Sequence, residues 1–326
     1  MTRNEAFLDY WHATSAQLDA AFEEWIPRFF GGHPGSQAAA VHKALDNGKR
    51  LRGCLLCLVS DALGGRREDA LPRAVAVECV QAASLIHDDF VDGDTRRRGR
   101  PAAWTSYGPR KAVLLGDLIF ATVLARMVET GRADGLALAE VIAMMAGGAW
   151  HEPLESAELD PARLADGDRG SGLYPKVIYL KTGALFGTAA RLGAISAAST
   201  PDMADLAFDA GAHLGEAYQI ADDLRDLVGI DGGEHGASEP TLLSPAIAHF
   251  CGPETLVRTA CRTVAGKPRA AALTELMPLL RERMHQAVSA RIARAVDSVD
   301  EFPNNTYTGL LRAAPSQIVR MMLHGD

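Results

Sequence analysis

The 326-residue sequence predicts an all-α protein, a single domain over residues 1–326 built of long, mostly antiparallel helices around a central cavity. Three observations predict it. Apolar residues recur at helical spacing in one run after another, and the runs are separated by glycine and proline breaks. With 48% of residues hydrophobic there is ample material for one large core, and no shift of composition marks a second unit.

Asn4 to Phe30 is amphipathic, with Phe7, Leu8, Trp11, Leu18, Phe22 and Trp25 near one face, which suits an outer helix. Gly31 to Gly35 breaks it, a short helix from Ser36 to Asp46 follows, and Asn47-Gly48 is a helix-stopping turn. Leu51 to Leu63 is an apolar helical run containing Cys54 and Cys57. No second cysteine pair matches that C-x-x-C, so these read as buried structural thiols. A helix from about Arg67 to Val91 comes next, then helices over Lys111 to Glu129 and Asp134 to Glu155. Leu159 to Gly172 is a polar, Gly-rich loop by composition, before long helices over Tyr174 to Ala198 and Asp202 to Leu227. Val228 to Pro240 is a Gly-rich, acidic loop with no lysine or arginine. Thr241 to His324 reads as three or four helices with breaks at Gly252-Pro253, Pro268 and Pro303.

The chemistry gathers on the helix from Arg67. Its apolar run ends in Asp88, Asp89 and Asp92, and a basic loop with Arg96, Arg97, Arg98 and Arg100 follows at once. At helical pitch the three carboxylates fall close to one face, where like charges repel and a divalent cation relieves them. An all-oxygen site favours Mg²⁺, which shares its coordination with water and phosphate oxygens. The arginines suit an anion. The pattern returns at Gln219 to Asp226 with Asp222, Asp223 and Asp226. Two such clusters on separate helices can face each other across a cavity, whereas one alone would read as a solvated helix end.

Lys49, Arg50 and Arg52 open an apolar helix beside free backbone N–H groups, which fits an anion site and equally a solvated basic helix start. It is not a nucleotide P-loop, since Arg50 follows Gly48-Lys49 where Ser or Thr would stand. Lys181 lies inside an apolar run and needs a partner for its ammonium.

The chain resembles the trans-polyprenyl diphosphate synthases, all-helical enzymes that join isoprenoid diphosphates head to tail. Five stretches carry the resemblance in order: Gly48 to Arg52, Asp88 to Pro101, Gly116-Asp117, Lys181-Thr182-Gly183 and Gln219 to Asp226. The resemblance implies that Asp88, Asp89 and Asp92 hold two Mg²⁺ ions and that Asp222, with Asp223 and Asp226, holds a third. It implies that Lys49, Arg52 and Arg98 bind isopentenyl diphosphate, with Gln81 beside them where many relatives have histidine. Arg97 and Lys181, with Thr182 and Gln219, would serve the allylic diphosphate. In this family bulky aromatics four or five residues before the first aspartate stop chain growth. Here Ser84 and Ala83 stand there, so a product longer than fifteen carbons is expected, with geranylgeranyl diphosphate foremost. A homodimer is expected from the resemblance alone.

Three departures keep other readings open. Gln81 carries no charge, Ala149 replaces a glutamine usual in the family, and the loop after the second acidic motif lacks its lysines. The rivals are a terpene synthase or irregular coupling enzyme on the same scaffold, and a non-catalytic regulatory subunit of a heteromeric synthase. The net charge of -8 argues against nucleic-acid binding. No apolar run is read as reaching the roughly 18 residues of a membrane span, no signal pattern is read at the N-terminus, and five cysteines suit a reducing compartment. A cytoplasmic protein without a membrane span is expected.

Overall fold

In the computed structural model the described residues are 3–152, 168–231, 243–252, 254–255 and 269–324. They form an all-α bundle. Its helices are α1 (Arg3–Phe30), α2 (Gly35–Leu45), α3 (Leu51–Ala62), α4 (Arg67–Val91), α5 (Ala103–Tyr107), α6 (Pro109–Thr130) and α7 (Arg132–His151). Next come α8 (Asp168–Ile178), a π-helical turn (Tyr179–Gly183), α9 (Ala184–Ser196), α10 (Pro201–Asp231), α11 (Leu243–Cys251), α12 (Arg269–Asp297) and α13 (Thr306–His324). The basic stretch after α4 is a small antiparallel ribbon of β1 (Arg96–Arg97) and β2 (Arg100–Pro101), with Arg97 opposite Arg100.

The centre of the bundle is α9, where Leu185, Phe186, Ala189, Ala190 and Leu192 are all fully buried. It packs against α3, α4, α7 and α10. Two glycines lie within α9, Gly187 and Gly193, and each costs about 1 kcal/mol of helix propensity against alanine. Burying a side chain such as Leu185 or Phe186 returns about 1.5–3 kcal/mol, so tertiary packing decides the helix. On α10, a Cβ at Gly211 would lie 2.4 Å from the Phe186 carbonyl oxygen, and one at Gly215 would lie 2.8 Å from Gly183 Cα. Side chains there would push α10 away from the segment that carries Lys181.

A second apolar cluster joins Tyr174, Val177 and Ile178 of α8 to Ile220 and Leu224 of α10 and Leu280 and Met284 of α12. α10 is thus buried along its length, one end against α9 and the other against α8 and α12.

The structure departs from the sequence expectations in four places. Residues 168–172 begin α8 instead of ending a loop, and 159–167 lie outside the described residues. The long helix from Tyr174 is interrupted by the π turn. Residues 228–231 continue α10 instead of opening a loop, and 232–240 of the lysine-free loop lie outside the described residues. Finally, α7 is long and apolar enough, by length and composition, to cross a membrane, with mean hydropathy 1.2. In the bundle it packs on α6 and α9 and carries the buried Asp134, whose carboxylate accepts a 2.6 Å hydrogen bond from Arg73 Nε on α4. Cys54 and Cys57 are buried in α3 as free thiols, with burial pushing the thiol of Cys57 up to about 11.

Candidate active site

A cavity of about 710 Å³ opens between α3, α4, α7, the π turn and α10. The α4 residues lining it form two strips. Glu78, Gln81, Leu85, Asp88 and Asp92 recur at three- and four-residue spacing, and Ser84, His87 and Val91 lie about 100° round the helix. Lys49, Arg52 and Arg98, then Lys181, Thr182, Gln219 and Asp222, complete the polar wall. Phe120 of α6 and Ile142, Met145, Ala146, Ala149 and Trp150 of α7 complete the lining. The ring of His87 meets that of Phe120 edge to face at 5.7 Å, and its Nε2 lies 3.0 Å from the Val113 carbonyl oxygen. Gly116 of the sequence motif faces that imidazole, where a Cβ would lie 2.2 Å from Nε2.

The π turn explains how two adjacent residues serve one cavity. An i→i+5 turn contains one residue more than an α turn, a feature common at functional sites, and here it brings both Lys181 and Thr182 to the wall. α7 comes close enough to reach Lys181 because Gly148 lies against it, where a Cβ would stand 2.9 Å from the Lys181 nitrogen. The ammonium of Lys181 pairs with Glu152 at the end of α7. Burial works against that ammonium, but Asp88 and Glu152 outweigh it and its pKa is raised. Burial likewise raises the carboxyl of Asp88, with Lys181 opposing, and lifts Asp92 to about 6.

A hydrogen-bonded chain leads inward from the cavity. Thr182 Oγ1 donates to Gln219 Oε1 at 2.7 Å, Gln219 Nε2 donates to Asp223 Oδ1 at 3.0 Å, and the hydroxyl of the fully buried Tyr174 donates to Asp223 Oδ2 at 2.5 Å. Burial pushes the Asp223 carboxyl up to about 7, against the help of those two donors.

The six aspartates do not all converge. Asp88, Asp92 and Asp222 line the cavity. Asp89 turns about 100° away from Asp88. It is 3% exposed, faces a small separate cavity beneath the ribbon, and accepts a 2.6 Å hydrogen bond from Arg97 Nε. Asp223 points into the core as described, and Asp226 stands outside the cavity lining, 3.5 Å from Arg225. Arg225 Nη2 also donates to Asp222 at 2.6 Å. Of the two small positions, Ser84 lines the cavity, while Ala83 is fully buried in the core, outside the lining. Arg97 and Arg98 border both cavities.

Sequence reasoning passed over Glu78, Glu152 and Arg225 as site residues. Glu152 was legible, since it follows Gly148 in the stretch where the family carries an acid. Glu78 and Arg225 carry no motif that marks them.

The donors fit a divalent cation by chemistry, being oxygens throughout. Among the described residues no three His, Cys, Asp or Glu groups come together closely enough to hold a metal by themselves. Mg²⁺ does not ask for that, because it binds through one or two carboxylates and takes water and phosphate oxygens for the rest. Raised carboxyl pKa values at Asp88, Asp92 and Asp222 mark positions where a cation gains most from neutralising charge.

Comparison with known proteins gives the family. Residues 36–233 match the polyprenyl synthetase family. The geranylfarnesyl diphosphate synthase of Methanosarcina mazei is 34% identical over 210 residues, covering 64% of this chain and 68% of the relative. The octaprenyl diphosphate synthase of Escherichia coli is 31% identical over 231 residues, covering 68% of this chain and 69% of the relative. A crystal structure of a Caulobacter crescentus polyprenyl synthase, complexed with calcium and isoprenyl diphosphate, shares the fold with a TM-score of 0.75. It is 24% identical, over 95% of this chain and 97% of that one. Relatives of this kind support trans-prenyl diphosphate synthase activity. The chain belongs to the polyprenyl synthetase family and is a prenyltransferase.

Proposed function

We propose that this chain condenses isopentenyl diphosphate head to tail with an allylic diphosphate, in the presence of Mg²⁺, to give geranylgeranyl diphosphate. The observation that carries the reading is one cavity lined both by charged groups, the carboxylates Asp88, Asp92 and Asp222 with the cations Lys49, Arg52, Arg98 and Lys181, and by the apolar side chains of Phe120, Ile142 and Met145. A diphosphate headgroup and a prenyl tail have that same division.

Bound Mg²⁺ would act as a Lewis acid on the leaving diphosphate, held from one side by Asp88 and Asp92 and from the other by Asp222. Lys181 sits between Asp88 and Glu152, where its ammonium can meet the allylic diphosphate as negative charge grows on it. Gln219 fixes the position of that diphosphate with its second amide N–H, its side chain held in place by Thr182 and by the chain that ends at Tyr174. Lys49, Arg52 and Arg98 hold the diphosphate of the second substrate, with Gln81 as a neutral donor beside them. Arg97 supports the site from its pairing with Asp89. The departing diphosphate accepts the proton, so no side-chain base is required. The tail extends past Ser84 toward Phe120 and Ile142, where the apolar lining excludes water.

Twenty carbons is the proposed length because Ser84 leaves the cavity open and Phe120 narrows its far side. The relatives named for geranylfarnesyl and octaprenyl products make longer chains. A homodimer would cover Leu114 and Val128 of α6 and Leu136 of α7, which are exposed here. The protein is proposed to act in the cytoplasm.

Product analysis by mass spectrometry tests the reading, with each allylic diphosphate and Mg²⁺, with and without isopentenyl diphosphate. A longer diphosphate formed only when both substrates are present supports it. Hydrocarbon or alcohol from the allylic substrate alone would replace it with a terpene synthase, a reading favoured by Gln81 and Ala149, which both line the cavity. No turnover in either arm would make the chain a regulatory subunit.

A further inference from the structure

Glu78 is a buried carboxylate, 6% exposed, with no part in the chemistry proposed above. It lies on α4 about three turns before Asp88 and borders the cavity. Its Oε1 accepts a 2.8 Å hydrogen bond from the Gly53 N–H. That N–H belongs to the first turn of α3, where backbone donors have no partner inside the helix. The residue at the N-cap of α3 cannot supply one. Arg50 sits there at φ 54 without a side-chain cap, its guanidinium engaged by Asp19 and the Leu45 carbonyl. Glu78 therefore caps α3 from another helix.

The contact depends on position 53 being glycine. A Cβ there would lie 3.2 Å from Glu78 Cγ and 2.9 Å from Leu18 Cδ1. Arg52 is the neighbour in the same turn. Its guanidinium stacks on the Phe186 ring at 4.4 Å, and its buried Nε has no hydrogen-bond partner among the described residues. Glu78 is the strongest opposing charge acting on both Arg52 and Arg98. A carboxylate beside an anion site repels the anion, so charge complementarity to the substrate cannot be what it contributes.

We propose that Glu78 is a positioning residue: by capping α3 at Gly53 it fixes the turn that carries Lys49 and Arg52 against α4, and so sets affinity for the non-allylic diphosphate. The inference rests on the assignment of Lys49, Arg52 and Arg98 to that substrate.

The test uses E78Q, E78L and G53A, with R52A as control, and reads KM for each substrate, kcat and the melting temperature. Glutamine keeps an acceptor oxygen for Gly53, while leucine removes it. E78L is expected to raise KM for isopentenyl diphosphate about tenfold, as a lost buried hydrogen bond would, with the allylic KM and kcat near wild type. E78Q should restore a KM near wild type. G53A, which leaves Glu78 in place but forces the helices apart, should reproduce the E78L pattern and serves if E78L does not fold. The inference is overturned if E78Q raises KM as much as E78L, or if E78L changes kcat and both KM values together. R52A separates the two levels. If it leaves KM for isopentenyl diphosphate unchanged, the assignment of this site fails. If R52A raises that KM and E78L and G53A do not, the role of Glu78 alone fails.

Discussion

Asp223→Asn tests whether the second acidic motif is a set of metal ligands or a mixture of ligands and framework. The Asp223 carboxyl is pushed by burial from an ordinary 3.8 to about 7, with Tyr174 and Gln219 as its hydrogen-bond donors. Between those values the folded protein holds a proton that the unfolded chain has lost. Fewer protons on the unfolded state mean that stability falls as pH rises, from the unfolded value up through about 7. At roughly 1.36 kcal/mol per pH unit, the ionised carboxylate costs up to roughly 4 kcal/mol above pH 7. Relaxation and sharing of charge with Asp222 and Asp226 bring the expected figure to roughly 2–3 kcal/mol. Asparagine removes the charge but offers one acceptor where the carboxylate offers two, a loss of about 1 kcal/mol for one hydrogen bond. The variant should therefore be slightly less stable than wild type at pH 5 and more stable, by about 1–2 kcal/mol, at pH 8. Urea unfolding of both proteins with EDTA at several pH values measures this, and the difference between them cancels the other titrating groups. A constant difference across pH, or a variant that loses stability as pH rises relative to wild type, would refute the reasoning.

Three further outcomes are expected. Ser84→Phe should shorten the product, because Ser84 borders the cavity, whereas Ala83→Phe should cost about 1–3 kcal/mol of stability by overpacking the core. Product chromatography and a denaturant melt check the pair. Phe120→Ala should lengthen the product distribution at a stability cost below the roughly 3–5 kcal/mol of a fully buried Phe, since this ring is partly exposed. Lys181→Met should lower kcat about 10²–10³-fold with the helical circular dichroism spectrum retained, as expected when one fixed group stabilising developing charge is removed; a kcat within a few-fold of wild type would remove Lys181 from the chemistry.

Much of the bundle was legible in the sequence. Periodic apolar residues mark α4 from Arg67 to Val91, and the helix breaks at Asn47-Gly48 and at Gly252 fall where the sequence places them. The π turn was not legible. Its extra residue is held by Gly148 on α7 and by Gly215 on α10, and neither neighbour is near it in sequence. The start of α8 was hidden because Gly170 and Gly172 look like loop residues until the bundle uses them in a helix.

By itself the sequence determined which residues carry the charge and on which helices they stand: acids closing two apolar runs, cations opening α3 and filling the ribbon, and Lys181 inside an apolar segment. Helical periodicity is local, and charge is a property of residue type, so both survive without a fold. Which of those groups share a space depends on how the helices pack. Asp88 and Asp89 are adjacent in sequence, yet one borders the cavity and the other is buried against Arg97 beneath the ribbon. Ser84 borders the cavity and Ala83 packs in the core. Glu78 caps a helix that comes before it in the chain, 25 residues away at Gly53. Each outcome depends on the rotation of one helix against its neighbours, and that rotation is fixed by close packing of side chains far apart along the chain.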